Sequence, residues 1–104
     1  MDKKKKFDFG IIIEARVGSS RFPGKILKKI NNKTILEILI DRLEFKKENI
    51  AIVVATTTKS KDDAIVKICQ KNEIHYFRGP ENNIPKRVYL AAVKFNIANI
   101  IQVT

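Results

Sequence analysis

The sequence predicts an α/β fold, a mostly parallel sheet held between helical layers in a three-layer α/β/α arrangement. Three observations lead there. Short apolar runs alternate with amphipathic segments of about ten residues, the spacing of βαβ units. Two of the runs, Ile11-Ile12-Ile13 and Ile50 to Ala55, are continuously apolar, as strands buried on both faces are. Capping residues stand ahead of the amphipathic segments.

The elements follow in order. Ile11 to Ile13 is the first strand, and a loop rich in Gly, Ser and basic residues follows it. Ile26, Leu27 and Ile30 form a short apolar patch closed by the turn signal Asn31-Asn32. Thr34-Ile35-Leu36-Glu37 is a capping box, with Thr34 facing the N3 amide and Glu37 reaching back. The helix behind it runs to about Leu43, and Ile35, Leu36, Ile38, Leu39, Ile40 and Leu43 give it a wide apolar face. Ile50 to Ala55 is the second strand, ending in Thr56-Thr57-Thr58, whose hydroxyls stand where a ligand could use them. For Thr58, solvation and capping is the favoured role. Ser60 is the expected cap of a second helix. Asp62 and Asp63 suit its positive end, Ala64, Ile65, Ile68 and Cys69 form its buried face, and it ends near Lys71-Asn72.

Ile74 to Phe77 reads as a short third strand, with Arg78-Gly79-Pro80 at its end. Asn82 or Asn83 caps a third helix that tolerates Pro85 in its first turn. Its apolar face is Val88, Tyr89, Ala91, Ala92 and Phe95. Ile97 to Val103 is the fourth strand. An apolar strand so placed leaves its carboxyl-end loop unbuilt and a sheet edge open. Residues 1–9, with Lys3 to Lys6, read as a mobile basic end, and 10–104 as one domain.

The loop after the first strand carries the functional signal. Arg16, Gly18, Ser19, Ser20, Arg21, Gly24 and Lys25 place three cations, two hydroxyls and two glycines within ten residues. Glycine admits close backbone approach, hydroxyls and amides donate hydrogen bonds, arginine forks onto phosphate oxygens and lysine meets them as a point charge. Open α/β sheets bind ligands beyond the carboxyl ends of their strands. Residue by residue, a basic surface loop would look the same; the cluster directly behind a triple-Ile run favours a polyphosphate cradle. It is not a Walker loop, since Ile26 follows Lys25 where Ser or Thr is needed.

Composition narrows the remaining classes. The 104 residues suffice for one small domain. No apolar run approaches the ~20 residues of a membrane span, and MDKKKKFDFG lacks the apolar segment of a signal peptide, so a cytoplasmic location is expected. The net charge of +10 would suit a nucleic-acid binder. However, the chain is rich in Lys, Ile and Asn together, its lysines are scattered, and no RNA-binding signature with interleaved aromatics accompanies them. Nucleic acid is therefore the weakest of the candidate partners. Cys69 is the lone cysteine and falls on an apolar helix face, where a small buried residue is expected. With a single His, His75, an imidazole or thiolate zinc site within one chain is excluded, and His75 reads as structural.

The segment Glu14-Ala15-Arg16-Val17-Gly18-Ser19-Ser20-Arg21-Phe22-Pro23-Gly24-Lys25 resembles the ARxGSxRxPGK signature of sugar-activating cytidylyltransferases, above all those of spore-coat polysaccharide biosynthesis, which are related to the acylneuraminate and 3-deoxy-manno-octulosonate enzymes. Val54-Ala55-Thr56-Thr57, Asp62-Asp63-Ala64-Ile65 and Arg78-Gly79 continue the likeness in order. The resemblance implies a Rossmann-like fold of the nucleotide-diphospho-sugar transferase type. It also implies transfer of CMP from CTP to a sugar or sugar-acid acceptor, with Mg2+ and release of pyrophosphate. Arg16 and Lys25 would take the catalytic roles, holding the triphosphate with Gly18, Ser19, Ser20 and Arg21. Ala15, Ala55 and Thr56 would line the cytosine and ribose pocket, with Arg78 and Gly79 approaching from the third strand.

Two departures accompany the likeness. Asn83-Ile84-Pro85-Lys86-Arg87 stands where relatives have Asp-Val-Leu-x-Arg, keeping only the Arg. Relatives continue past the fourth strand as Thr-Gly-Asp, that Asp holding magnesium, whereas the sequence here stops at Thr104. The expectation is the nucleotide-binding half of such an enzyme, as a fragment, a truncated reading frame or a split chain, competent only when completed by more sequence; a homo-oligomer or a partner chain is a further expected association. The alternative is a non-catalytic nucleotide- or partner-binding module.

Overall fold

The computed structural model describes residues 7–18, 25–43 and 50–103. The expected basic end at residues 1–6 lies outside them. Four parallel strands form the main sheet: β1 (Phe7–Glu14), β4 (Ile50–Thr57), β5 (His75–Gly79) and β6 (Ile97–Val103), in the order β5-β4-β1-β6. Three helices connect or flank them: α1 (Ile35–Leu43), α2 (Asp63–Lys71) and α3 (Ile84–Lys94). The predicted α/β architecture is present. β1 starts at Phe7, so 7–9 belong to the sheet and not to a mobile end, and β4 runs two residues past Ala55.

The continuous apolar runs serve both faces of the sheet, because successive strand residues point oppositely. Ile11 and Ile13 of β1 join Ile52 and Val54 of β4 in a core closed by Leu36 and Ile40 of α1 and Ile65 and Cys69 of α2. Ile12, Ala51, Val53 and Ala55 pack on the opposite face against Val88, Ala91 and Ala92 of α3. Cys69 is fully buried, and burial pushes its thiol up to about 12.

The capping box closes as written. The Thr34 amide donates to Glu37 Oε1 at 3.0 Å and the Glu37 amide donates to Thr34 Oγ1 at 3.1 Å. Those contacts, the Thr34 amide foremost and the Asn72 side chain next, hold the Glu37 carboxyl below its ordinary value. Between the first loop and α1, Asn31 and Asn32 both adopt positive φ and form the two-residue turn of a hairpin, β2 (Lys29–Ile30) with β3 (Lys33–Thr34).

Helix ends account for the other left-handed residues. Glu73 (φ 57°) follows the Asn72 C-cap of α2. The Glu73 amide donates to Gln70 O and the Ile74 amide to Cys69 O, which is a Schellman motif. Asn96 (φ 56°) holds the equivalent place after α3.

Several expected faces are narrower in the structure. In α1 only Leu36 and Ile40 are fully buried. In α2 the buried set is Ile65, Val66 and Cys69, with Ala64 exposed. Tyr89 of α3 is 64% exposed, because it turns toward an uncovered side of the sheet. Ile100 and Ile101 of β6 are exposed as well, so this strand forms an edge with both faces largely open. No described helix is long and apolar enough to cross a membrane.

Candidate functional site

The four parallel strands bring the ends of β1, β4, β5 and β6 to one side of the sheet, and the sequence places its polar residues there. β1 and β4 lie side by side at their ends: Glu14 is in register with Ala55, and the Ala15 amide donates to Ala55 O at 3.1 Å. Ala15 and Ala55 are both buried, so this corner has a small apolar floor.

The loop leaves β1 through Arg16, Val17 and Gly18. The Arg16 guanidinium folds over it, Nη1 donating to Gly18 O at 2.9 Å. The Val17 amide donates to Asp62 Oδ1 at 2.7 Å. Asp62 is fully buried, and its other oxygen accepts a hydrogen bond from the Thr57 hydroxyl. One carboxylate thus joins the loop, the end of β4 and the start of α2. The role expected of Ser60 is corrected here. Ser60–Asp62 forms a 3-10 turn, and Asp62 occupies the N-cap position of α2 without capping it, its side chain being committed to Val17 and Thr57.

Thr56 and Thr57 are both fully buried, and the Thr57 hydroxyl is taken by Asp62 and by the Lys59 amide at 3.2 Å. Thr57 is thus structural rather than available to a ligand. The Thr56 hydroxyl is buried without a hydrogen-bond partner among the described residues. Arg78 pairs in register with Thr56. Its guanidinium is spread over protein groups: Nε donates to Thr57 O at 2.7 Å, Nη2 donates to Lys59 O at 2.9 Å, and Nη2 pairs with Asp63 at 2.9 Å. Gly79 is buried, and a Cβ there would stand 2.9 Å from the Phe77 ring and 3.0 Å from Arg87 Cγ, so its lack of a side chain leaves room for both side chains. Lys25 is exposed at the start of a single 3-10 turn, Lys25–Leu27. Ser19, Ser20, Arg21 and Gly24 lie outside the described residues.

Three charged side chains that were not among the expected site residues complete the site. Arg87, fully buried, donates from Nη1 to Pro80 O at 2.9 Å and to Glu81 O at 3.3 Å, and pairs through Nη2 with Glu14 at 3.3 Å. Burial lowers its pKa from the ordinary value, and the Glu14 carboxylate works against that shift. Glu14 also accepts from Gln102 Nε2 at 2.6 Å, tying the ends of β1 and β6. Glu81 lies among Arg16 (4.0 Å), Lys59 (3.8 Å) and Lys61 (3.3 Å). Glu14 lies within the first motif and Arg87 is the arginine kept from the relatives' third-helix pattern, but neither motif shows which groups they meet; Glu81 is marked only by its place just beyond a strand's carboxyl end.

Among the described residues no three His, Cys, Asp or Glu side chains gather so as to hold a metal ion. These residues do not by themselves fit magnesium.

Residues 10–104 match the family model described as Cytidylyltransferase. The chain is 41% identical over 93 residues to an uncharacterized protein of Methanocaldococcus jannaschii, a match covering 89% of this chain and 38% of that one. It is 36% identical over 84 residues to the spore coat polysaccharide biosynthesis protein SpsF of Bacillus subtilis, covering 77% and 35% of the two chains. Among solved structures, a cytidylyltransferase from Leptospira borgpetersenii superposes with a TM-score of 0.83 at 38% identity, covering 94% of this chain and 41% of the other. The chain thus spans about two fifths of these relatives' length or less.

Proposed function

The chain belongs to the cytidylyltransferase family, and from that premise we propose that it is the nucleotide-binding half of an enzyme that activates a sugar or sugar acid as its CMP derivative, in the cytoplasm, for a surface polysaccharide. The supporting observation is the loop behind β1. Arg16 is folded onto Gly18 at 2.9 Å and the preceding amide is pinned to Asp62 at 2.7 Å, so a cation and a glycine are held at the carboxyl end of a central strand.

In this reading the triphosphate of CTP lies along the loop, and the cytosine and ribose lie over Ala15, Ala55 and Thr56. An acceptor hydroxyl oxygen bonds the α-phosphorus and gives up its proton to water, and the bond to the bridging oxygen breaks, its electron pair leaving with pyrophosphate. Arg16 and Lys25 offset the charge that grows on the departing oxygens, which is catalysis by position and electrostatics. Arg78, held by three protein groups, steadies the β4–α2 connection beside the nucleotide rather than gripping phosphate.

The test is titration calorimetry with CTP and magnesium on the protein that carries this chain, beside its Lys25→Ala variant. Binding by the parent and at least tenfold weaker binding by the variant support the reading. Equal binding removes Lys25 from the site. Pyrophosphate release with CTP and a sugar acceptor separates an enzyme from a module that only holds the nucleotide.

A further inference from the structure

The lysines of the β4–α2 connection lie on the loop side of the sheet, and one carboxylate gathers them. Lys59, Lys61 and Arg16 converge on Glu81 at 3.8, 3.3 and 4.0 Å. Lys61 also lies against the loop itself, since a Cβ on Gly18 would stand 2.9 Å from its Cε. The neighbouring charges do not cancel the excess: Asp63 pairs with Arg78, Glu14 with Arg87, and Asp62 accepts from Val17 and Thr57. Among the described residues this leaves three cations around a single carboxylate.

We propose that Lys59 and Lys61 form, with Arg16, a second wall of the polyphosphate site, and that the Glu81 carboxylate holds the place that a phosphate group of the ligand takes over. The inference rests on the nucleotide reading above and adds residues that the loop signature does not contain.

The spacing supports a replaceable occupant. A charge-assisted N–H to carboxylate bond closes to about 2.7–2.9 Å, and all three contacts here are longer. A phosphate group offers more oxygens and more charge than a carboxylate, so it can meet all three cations at once. The backbone is built for the exchange. Arg87 holds the Pro80 and Glu81 carbonyls at 2.9 and 3.3 Å, so the Glu81 side chain can swing out while its main chain stays fixed. Before the ligand arrives the carboxylate also serves a purpose, since three gathered cations with nothing between them would repel one another.

The test is calorimetric titration of the whole protein that carries this chain, with CTP and separately with inorganic tripolyphosphate. Glu81→Gln keeps the shape and removes the competing charge, and both ligands are expected to bind about fivefold more tightly to it. Lys59→Ala and Lys61→Ala are each expected to bind both ligands about fivefold more weakly. Unchanged or weaker binding by Glu81→Gln, or unchanged binding by the two lysine variants, overturns the proposal. If Arg16→Ala still weakens CTP binding in that case, the nucleotide reading stands and only the second wall falls. If the parent protein binds neither ligand, both fall together.

Discussion

The amide of Val17 and the carboxylate of Asp62, 45 residues apart in the chain, meet at 2.7 Å. This contact fixes the first loop to the start of α2, and Asp62 holds the Thr57 hydroxyl with its other oxygen. Asp62→Ala leaves a buried amide and a buried hydroxyl without their acceptor. The expected loss is about 2–4 kcal/mol in chemical denaturation, together with weaker CTP binding because the loop is no longer held. Asp62→Asn can still accept from Val17 and donate to Thr57, and is expected to lose about 1 kcal/mol.

The pair of Arg87 with Glu14 is buried at one end and nearly so at the other. Arg87→Met strands the Glu14 carboxylate and frees the Pro80 and Glu81 carbonyls, with an expected cost of about 3 kcal/mol in urea denaturation. Arg87→Lys is not expected to restore it, since one ammonium cannot reproduce the fork that spans Pro80, Glu81 and Glu14.

Glu73 ends α2 in a left-handed conformation at φ 57°, which suits glycine better than a residue with a Cβ. Glu73→Gly is expected to stabilise the fold by about 0.5–1 kcal/mol after the added flexibility of the unfolded chain is counted. A higher urea midpoint with an unchanged slope confirms it, and a lower midpoint refutes it.

The Glu37 carboxyl is held below its ordinary value by the Thr34 amide and the Asn72 side chain. A depressed carboxyl stabilises above its unfolded pKa, and that stability is lost as pH falls through the folded one. Between about pH 6 and 5 the capping box therefore adds no pH dependence; below about pH 4.5 stability falls as Glu37 takes up a proton. Urea midpoints collected against pH are expected to show this acid-side loss in the parent and a smaller one in Glu37→Gln.

Much of the fold was legible because few arrangements satisfy the pattern. The runs Ile11-Ile12-Ile13 and Ile50 to Ala55 had to be covered on both faces, which only central strands with helices on either side achieve. The Thr34–Glu37 box and the turn at Asn31-Asn32 are local, and local chemistry is written in adjacent residues. The Asn31-Asn32 hairpin strands were not read, because two-residue strands leave no periodicity to find. The interior of the site was not legible for a different reason. Asp62 looked like a helix-dipole residue and Thr57 like a ligand hydroxyl, and only the approach of Val17 shows that they bond each other and the loop. Glu14, Glu81 and Arg87 come together from three separate elements, and no spacing in the sequence encodes that meeting. Tyr89 was placed on a buried face because helical periodicity reports which side is apolar but not whether anything covers it.

The walled-in thiol of Cys69, with its pKa pushed up to about 12, has a practical side. Maleimide dyes react with thiolates, so the folded protein should stay dark at this position. A cysteine introduced on an exposed helix position such as Lys86 would then be the reactive thiol of this chain, and a fluorophore there would sit on the first turn of α3.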